Sequence, residues 1–169
     1  MNNSNSSTTY SDEYLQEILE RTNTIAMIGL SSNWNRPSYF AAKYLQCKGY
    51  KVIPVNSNEY GKEILGEIVY ANLTDIKIQV DMVDIFRKRS AVKNIVDDAI
   101  SIGTKTIWMQ LGIIDIESAN KALKKNIDVI MDRCPKIEYA RMSGELGWGG
   151  INTLRITNKR RIIRRKKNL

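Results

Sequence analysis

Five short apolar runs, at residues 24–30, 51–55, 80–86, 106–111 and 127–131, punctuate the middle of the chain, with amphipathic segments between them. This alternation constrains the fold more than any other feature. The first run, from Thr24 to Leu30, is apolar almost throughout, whereas a strand wetted on one face would alternate apolar with polar residues. Runs buried on both faces and joined by amphipathic helices make a parallel sheet covered on each side by crossovers.

The intervening segments carry helix punctuation. Ser11 is placed to cap a helix whose first turn holds Asp12 and Glu13, and whose apolar face is Leu15, Ile18 and Leu19. Pro37 suits the first position of the next helix; Phe40, Ala41, Tyr44 and Leu45 form its expected inner face, and Gly49 ends it. Ser90 is the expected cap of a third helix, in which Val92, Ile95, Val96, Ala99 and Ile100 fall at helical spacing before Gly103. A fourth spans residues 115–126, faced by Ala119, Ala122 and Leu123. Residues 56–76 read as irregular, with turns at Gly61 and Gly66 and a short strand at 67–70. The expected architecture is a single α/β domain, a Rossmann-like doubly wound five-stranded parallel sheet, over residues 11–152. A disordered segment at 1–10 precedes it and a basic tail at 153–169 follows.

Composition narrows the functional classes. With 169 residues, 43% of them hydrophobic, the chain can close one substantial core. No run approaches the roughly 18 apolar residues of a membrane span, and the Asn/Ser/Thr-rich start, with Arg21 as its first basic residue, resembles neither a secretory nor a transit segment. A cytoplasmic location is the expectation. The cysteines, Cys47 and Cys134, are far apart, and no histidine occurs, so a structural zinc site is unsupported and reduced thiols are expected. The net charge of +8 is a property of one end: residues 151–169 hold eight basic residues and no acid, leaving 18 of each sign in the remainder. The run at 159–167 is expected to be solvated, with a salt-sensitive attraction for nucleic acid or an acidic partner, but it lacks interleaved aromatics for base stacking.

In a doubly wound sheet the ligand lies beyond the carboxyl ends of the strands. The turn after the first strand, residues 29–38, has one glycine where a dinucleotide fingerprint has three, yet it offers Ser31, Ser32, helix-start N–H groups and the Arg36 guanidinium to a phosphate. The second strand ends in Pro54, Val55, Asn56 and Ser57, without the acid that binds a free ribose diol. A neutral end suits a phosphorylated ribose, that of CoA or of NADP.

Five blocks at consecutive strand ends are then distinctive together: Arg36-Pro37-Ser38-Tyr39, Gly49 through Asn56, Val83-Asp84-Ile85-Phe86-Arg87, Trp108 through Gly112, and Met131 through Glu138. From about residue 24 to 152 the chain resembles the small CoA-binding proteins of the YccU-like family, which are similar to the CoA-binding domain of the succinyl-CoA synthetase alpha subunit. The resemblance implies a ligand, CoA or an acyl-CoA, and a binding surface on Gly29, Ser31, Ser32, Arg36, Pro54, Asn56, Phe86, Arg87, Gln110 and Gly112. Trp34 is expected to cover the first turn by packing on the body.

Little points to catalysis. Without histidine, the usual general base and the Ser-His-Asp and Cys-His arrangements are missing, as is the phosphohistidine route of succinyl-CoA synthetase. Asp84, between apolar neighbours, is expected to be buried and hydrogen-bonded to the next loop. Asp132, Arg133 and Lys136 are expected to form a salt-bridged structural corner. Cys134, flanked by Arg133 and Lys136, is a candidate for a lowered thiol pKa and for contact with the pantetheine arm. The expectation is a non-catalytic or regulatory CoA-binding protein. Its rivals are an NADP-dependent oxidoreductase, for which no proton donor stands out, and a nucleic-acid binder acting through the tail.

Overall fold

Helix α1 (Asp12–Arg21) begins where Ser11 accepts the Tyr14 N–H at 3.3 Å, and it buries Leu15, Ile18 and Leu19. The computed structural model describes residues 8–144. The basic run and the expected 152/153 boundary therefore lie outside the described residues. Strand β1 (Thr24–Ile28) is followed by α2 (Pro37–Cys47), with proline in its first turn, and by β2 (Lys51–Val55). A hairpin of β3 (Glu63–Ile64) and β4 (Glu67–Ile68) comes next, then β5 (Met82–Ile85) and α3 (Val92–Ser101). The chain continues through β6 (Thr106–Met109), α4 (Ile116–Leu123), β7 (Asp128–Ile130) and α5 (Pro135–Met142).

The five core strands are parallel, in the order β2-β1-β5-β6-β7. The expected Rossmann-like doubly wound sheet is therefore present. From β1 the chain moves outward to β2 and then crosses back to β5 on the other side of β1, so the topological switch point lies between β1 and β5. On one face, α1, α2 and α5 bury Ile18, Leu19, Ala42, Leu45 and Met142; on the other, α3 and α4 bury Val92, Val96, Ala99, Ala119 and Ala122. Among the described residues no helix is long and apolar enough to cross a membrane.

Several local expectations are corrected. In α2, Ala41 and Leu45 are buried and Tyr44 packs half-buried against the core, as expected, but Ser38 and Ala42 complete the inner face and Phe40 is 48% exposed. Ser90 does not cap α3; it sits inside a 3-10 turn, Arg89–Ala91, that leads directly into the helix, and Ala91 holds the cap position without a side-chain bond. Within residues 56–76 the expected turn at Gly66 and strand from Glu67 are present, the strand ending at Ile68 and pairing with Glu63–Ile64, which the sequence did not suggest; Leu65 and Gly66, both at positive φ, make the tight turn between them. Trp34 does not cover its turn and is 66% exposed.

Residues 8–10, expected within a disordered segment, are tied to the body of the domain. The Tyr10 hydroxyl accepts the Met131 N–H at 2.8 Å, and the Thr8 carbonyl accepts from Arg133 at 3.0 Å. Helix α5 has no counterpart in the sequence reading. It is clamped to α1 by Arg141, which reaches both oxygens of Asp12 at 2.8 and 3.1 Å and Glu138 at 2.7 Å.

Candidate functional site

Gly29 stands at the switch point. Its N–H donates to the Val55 carbonyl at 2.8 Å, and the Phe86 N–H donates to the Ile28 carbonyl at 2.9 Å, so the sheet ladder runs one residue past the ends of β1 and β5. At φ +85° the backbone then turns away, in a region that disfavours any side chain. The turn folds on itself: the Asn33 N–H donates to Ser31 Oγ at 3.2 Å, the Asn35 N–H to Asn33 Oδ1 at 3.0 Å, and the Arg36 N–H to the Asn33 carbonyl at 2.9 Å. Arg36 occupies the N-cap of α2 with extended backbone and makes no side-chain cap bond, so its guanidinium is not committed to the helix.

Two cavities meet at this turn. One, of about 380 Å³, lies on the α2 side and is lined by Gly29, Ser31, Arg36, Ser38, Asn56, Glu59 and Phe86, among others. The other, of about 200 Å³, lies toward α3; Ile28, Val55, Leu73, Ala91 and Ile95 give it apolar walls, and Asn72, Asn94, Arg87 and Asp98 give it polar ones. Gly29 and Asn56 line both. Asn56 fastens the corner between them: its Nδ2 donates to the Leu30 carbonyl at 3.0 Å and its Oδ1 accepts the Asn58 N–H at 3.2 Å. A separate cavity of about 540 Å³, lined by Arg21, Thr104, Lys105, Asn126 and Asp128, opens at the amino ends of β6 and β7, away from the ligand edge of such a sheet.

The structure brings Gly29, Ser31, Arg36, Asn56 and Phe86 together around the first cavity, and Arg87 joins Gly29 and Asn56 around the second. Ser32 sits at the rim, its N–H directed at Glu59. The remaining expected residues line neither of these cavities. Pro54 is buried within β2, where its missing N–H is tolerated on an edge strand and its carbonyl accepts the Tyr70 N–H at 2.9 Å. Gln110 is buried and donates to Asp84 Oδ1 at 2.7 Å, and the Gly112 N–H donates to Asp132 Oδ1 at 2.7 Å.

Asp84 is buried, as expected, but its side-chain partner is Gln110 beyond the end of the neighbouring strand β6 rather than the loop after β5, and burial pushes its carboxyl up to about 7. Cys134, at the N-cap of α5, is also buried. The cations flanking it in sequence do not prevail. Burial, and then the Asp84 carboxyl, push the thiol up rather than down. Arg133 lies 3.8 Å from Glu138 and 3.9 Å from Asp132, so the corner at the start of α5 is salt-bridged, while Lys136 lies over the Tyr44 ring instead.

Glu59 escaped the sequence reading. It ends a 3-10 turn, Ser57–Glu59, within a stretch that carries no helical or strand period, and only the fold brings it to the first turn. Both its carboxylate oxygens accept the Ser32 N–H, at 3.2 and 3.3 Å. Hydrogen bonding to the Ser32 side chain, set against partial burial and helped by the Ser32 backbone, Ser31 and Lys62, holds this carboxyl below its ordinary range.

Residues 23–140 match the CoA binding domain family, and the chain belongs to it. YneT of Bacillus subtilis (strain 168), an uncharacterized protein, is 32% identical over 126 residues, which cover 75% of this chain and 92% of that one. A hypothetical protein from Pyrococcus horikoshii OT3 superposes with a TM-score of 0.76 at 33% identity, over 83% of this chain and 98% of its own. The Thermus thermophilus protein cell-free ID.343 gives a TM-score of 0.75 at 33% identity, over 78% and 98%. Family membership supports CoA as the ligand class.

Proposed function

We propose that this protein binds CoA or an acyl-CoA across the carboxyl edge of β1, β2 and β5 and acts as a carrier, sensor or regulatory module rather than as a catalyst. The observation that carries the reading is the pair of cavities meeting at Gly29 and Asn56, where the turn's donors and Arg36 face one side and a slot with both apolar and polar walls faces the other. A pyrophosphate suits the first, because Ser31, Ser38 and Arg36 supply hydroxyl and guanidinium donors beside a helix start. An adenine ring suits the second, where apolar walls take its faces and Asn72, Asn94 and Asp98 its polar edge. The neutral Asn56 at the end of β2 leaves room for a phosphorylated ribose.

In this reading Gly29, Ser31, Ser32, Arg36, Asn56, Phe86 and Arg87 contact the nucleotide. Pro54, Gln110 and Gly112 shape the strand ends that carry it, and Cys134 lies toward the pantetheine arm. A binding role rather than a catalytic one is supported by the lack of histidine in the chain and by the place of Asp84, 0% exposed and outside both cavities. Isothermal titration of the full chain with CoA, acetyl-CoA, NADP and NAD in parallel tests the reading. CoA or its thioester binds most tightly if it is correct, and tighter binding of NADP rejects it. Native mass spectrometry of the protein as purified identifies any retained acyl group.

A further inference from the structure

We propose that Glu59 is an internal competitor for the phosphate site: its carboxylate holds the first turn in the unliganded protein and must leave when a phosphate group arrives. The inference rests on the CoA-binding reading and adds a device that sets the affinity of that site. An N–H group has one hydrogen to donate, and that of Ser32 is given to Glu59, whose oxygens lie at 3.2 and 3.3 Å. A phosphate oxygen seeking the same donor finds it taken by a group of its own sign.

Glu59 is built into position. The Asn56 side chain accepts the Asn58 N–H at 3.2 Å, and the Glu59 N–H reaches the Asn56 carbonyl at 3.0 Å, which coils Ser57–Glu59 back over the turn. Asn56 also grips Leu30 at 3.0 Å, so the competing carboxylate and the turn share one anchor. The neighbouring cation offsets little of the charge, because Lys62 Nζ is 3.9 Å away and its side chain is 62% exposed. The carboxylate lines the same cavity as Arg36. It thus favours an occupied turn without ligand and opposes an anion that enters, so a tight ligand must bring enough negative charge and enough contacts elsewhere to displace it. Release requires the Glu59 side chain, 14% exposed where it rests on the turn, to rotate outward, with no rearrangement of the sheet.

Glu59→Gln keeps the size and the acceptor oxygen and removes the charge. Titrating full-length wild type and variant with CoA, inorganic pyrophosphate and adenosine separates the possibilities. The variant is expected to bind CoA and pyrophosphate about five- to tenfold more tightly, within the usual span of coupling between two competing interactions, and adenosine equally well. Equal or weaker binding of CoA by the variant, with wild type binding normally, overturns the role of Glu59 and leaves the CoA reading standing. Failure of both proteins to bind CoA and pyrophosphate overturns both. As a check that needs no variant, the Ser32 amide resonance of wild type should shift on CoA addition as its acceptor changes; an unmoved resonance at saturation argues that Glu59 stays in place.

Discussion

A Cβ on Gly29 would lie 2.5 Å from the Phe86 carbonyl oxygen and 2.8 Å from Arg87 Cδ, so β1 and the end of β5 approach as closely as they do only because residue 29 has no side chain. The Arg87 stem can bend aside, whereas the Phe86 carbonyl is backbone, in a residue whose N–H is tied to Ile28 at 2.9 Å. Gly29 also holds φ at +85°, where any other residue is strained. Gly29→Ala is therefore expected to cost about 2 to 4 kcal/mol, from backbone strain and overpacking together. Urea unfolding measures this as a lower midpoint at unchanged m-value, and a midpoint within experimental error of wild type rejects the close approach.

Asp84 gives the fold a pH dependence of unusual sign. Its carboxyl, ordinarily near 3.8, is pushed up to about 7 by burial, against the opposing hydrogen bond from Gln110, and its Oδ2 has no partner among the described residues. Between those values the folded protein keeps a proton that the unfolded chain has released. Stability from this group therefore falls as pH rises from about 4 to about 7, by up to about 1.4 kcal/mol per unit, and levels off above. Asp84→Asn removes the titration, at the cost of a buried amide that must find a partner. The unfolding free energy of the variant relative to wild type should climb across that interval and then stay flat. Parallel pH profiles for the two proteins show that Asp84 is not the group responsible.

The reach of the sequence was uneven, and the reason differs from element to element. The five core strands were legible because both faces are buried, which forces a continuous apolar run, and Gly29, Ser31, Arg36 and Asn56 were legible because the topology fixes where such runs end. Helix α5 was not. Its stabilising contacts include the ion pairs of Glu138 and Arg141, and Ile137 faces outward, so its apolar residues trace no single stripe. Strand ends were overrun by one or two residues, since Leu30, Phe86 and Leu111 continue the apolar pattern into the loops. Glu59 had no local signal at all. Its role depends on a tertiary contact across 27 positions of sequence.

The two thiols should be told apart by a simple alkylating agent. Cys47 is exposed at the end of α2, while Cys134 is buried and its thiol is held up by desolvation and by the nearby Asp84 carboxyl. Since the thiolate is the reacting species, iodoacetamide at neutral pH should modify Cys47 first and reach Cys134 only as the protein opens. Peptide mass spectrometry over a time course reads the order directly. Faster labelling of Cys134 would mean that its flanking cations, Arg133 and Lys136, dominate after all. Oxidising the protein in the presence of CoA then asks whether ligand brings its own thiol to this position, with Cys134→Ser as the control for the mixed disulfide.

Arg36 offers the most direct test of where the phosphates lie. It lines the α2-side cavity, makes no cap bond to the helix, and among the described residues no carboxylate forms an ion pair with it. Removing its side chain should leave the fold intact, because the backbone contacts of residue 36, from its N–H to Asn33 and from Tyr39 to its carbonyl, do not involve the guanidinium. Binding should suffer instead. Arg36→Ala is expected to weaken CoA by about 1.5 to 3 kcal/mol, the range for a hydrogen bond to a charged group, while Arg36→Lys recovers part of the loss because it restores charge without the bidentate fork. Adenosine, which has no phosphate, should bind both variants as it binds wild type. A loss of equal size for adenosine and CoA would move Arg36 from the phosphates to the nucleoside, and an unchanged CoA affinity would remove it from the site.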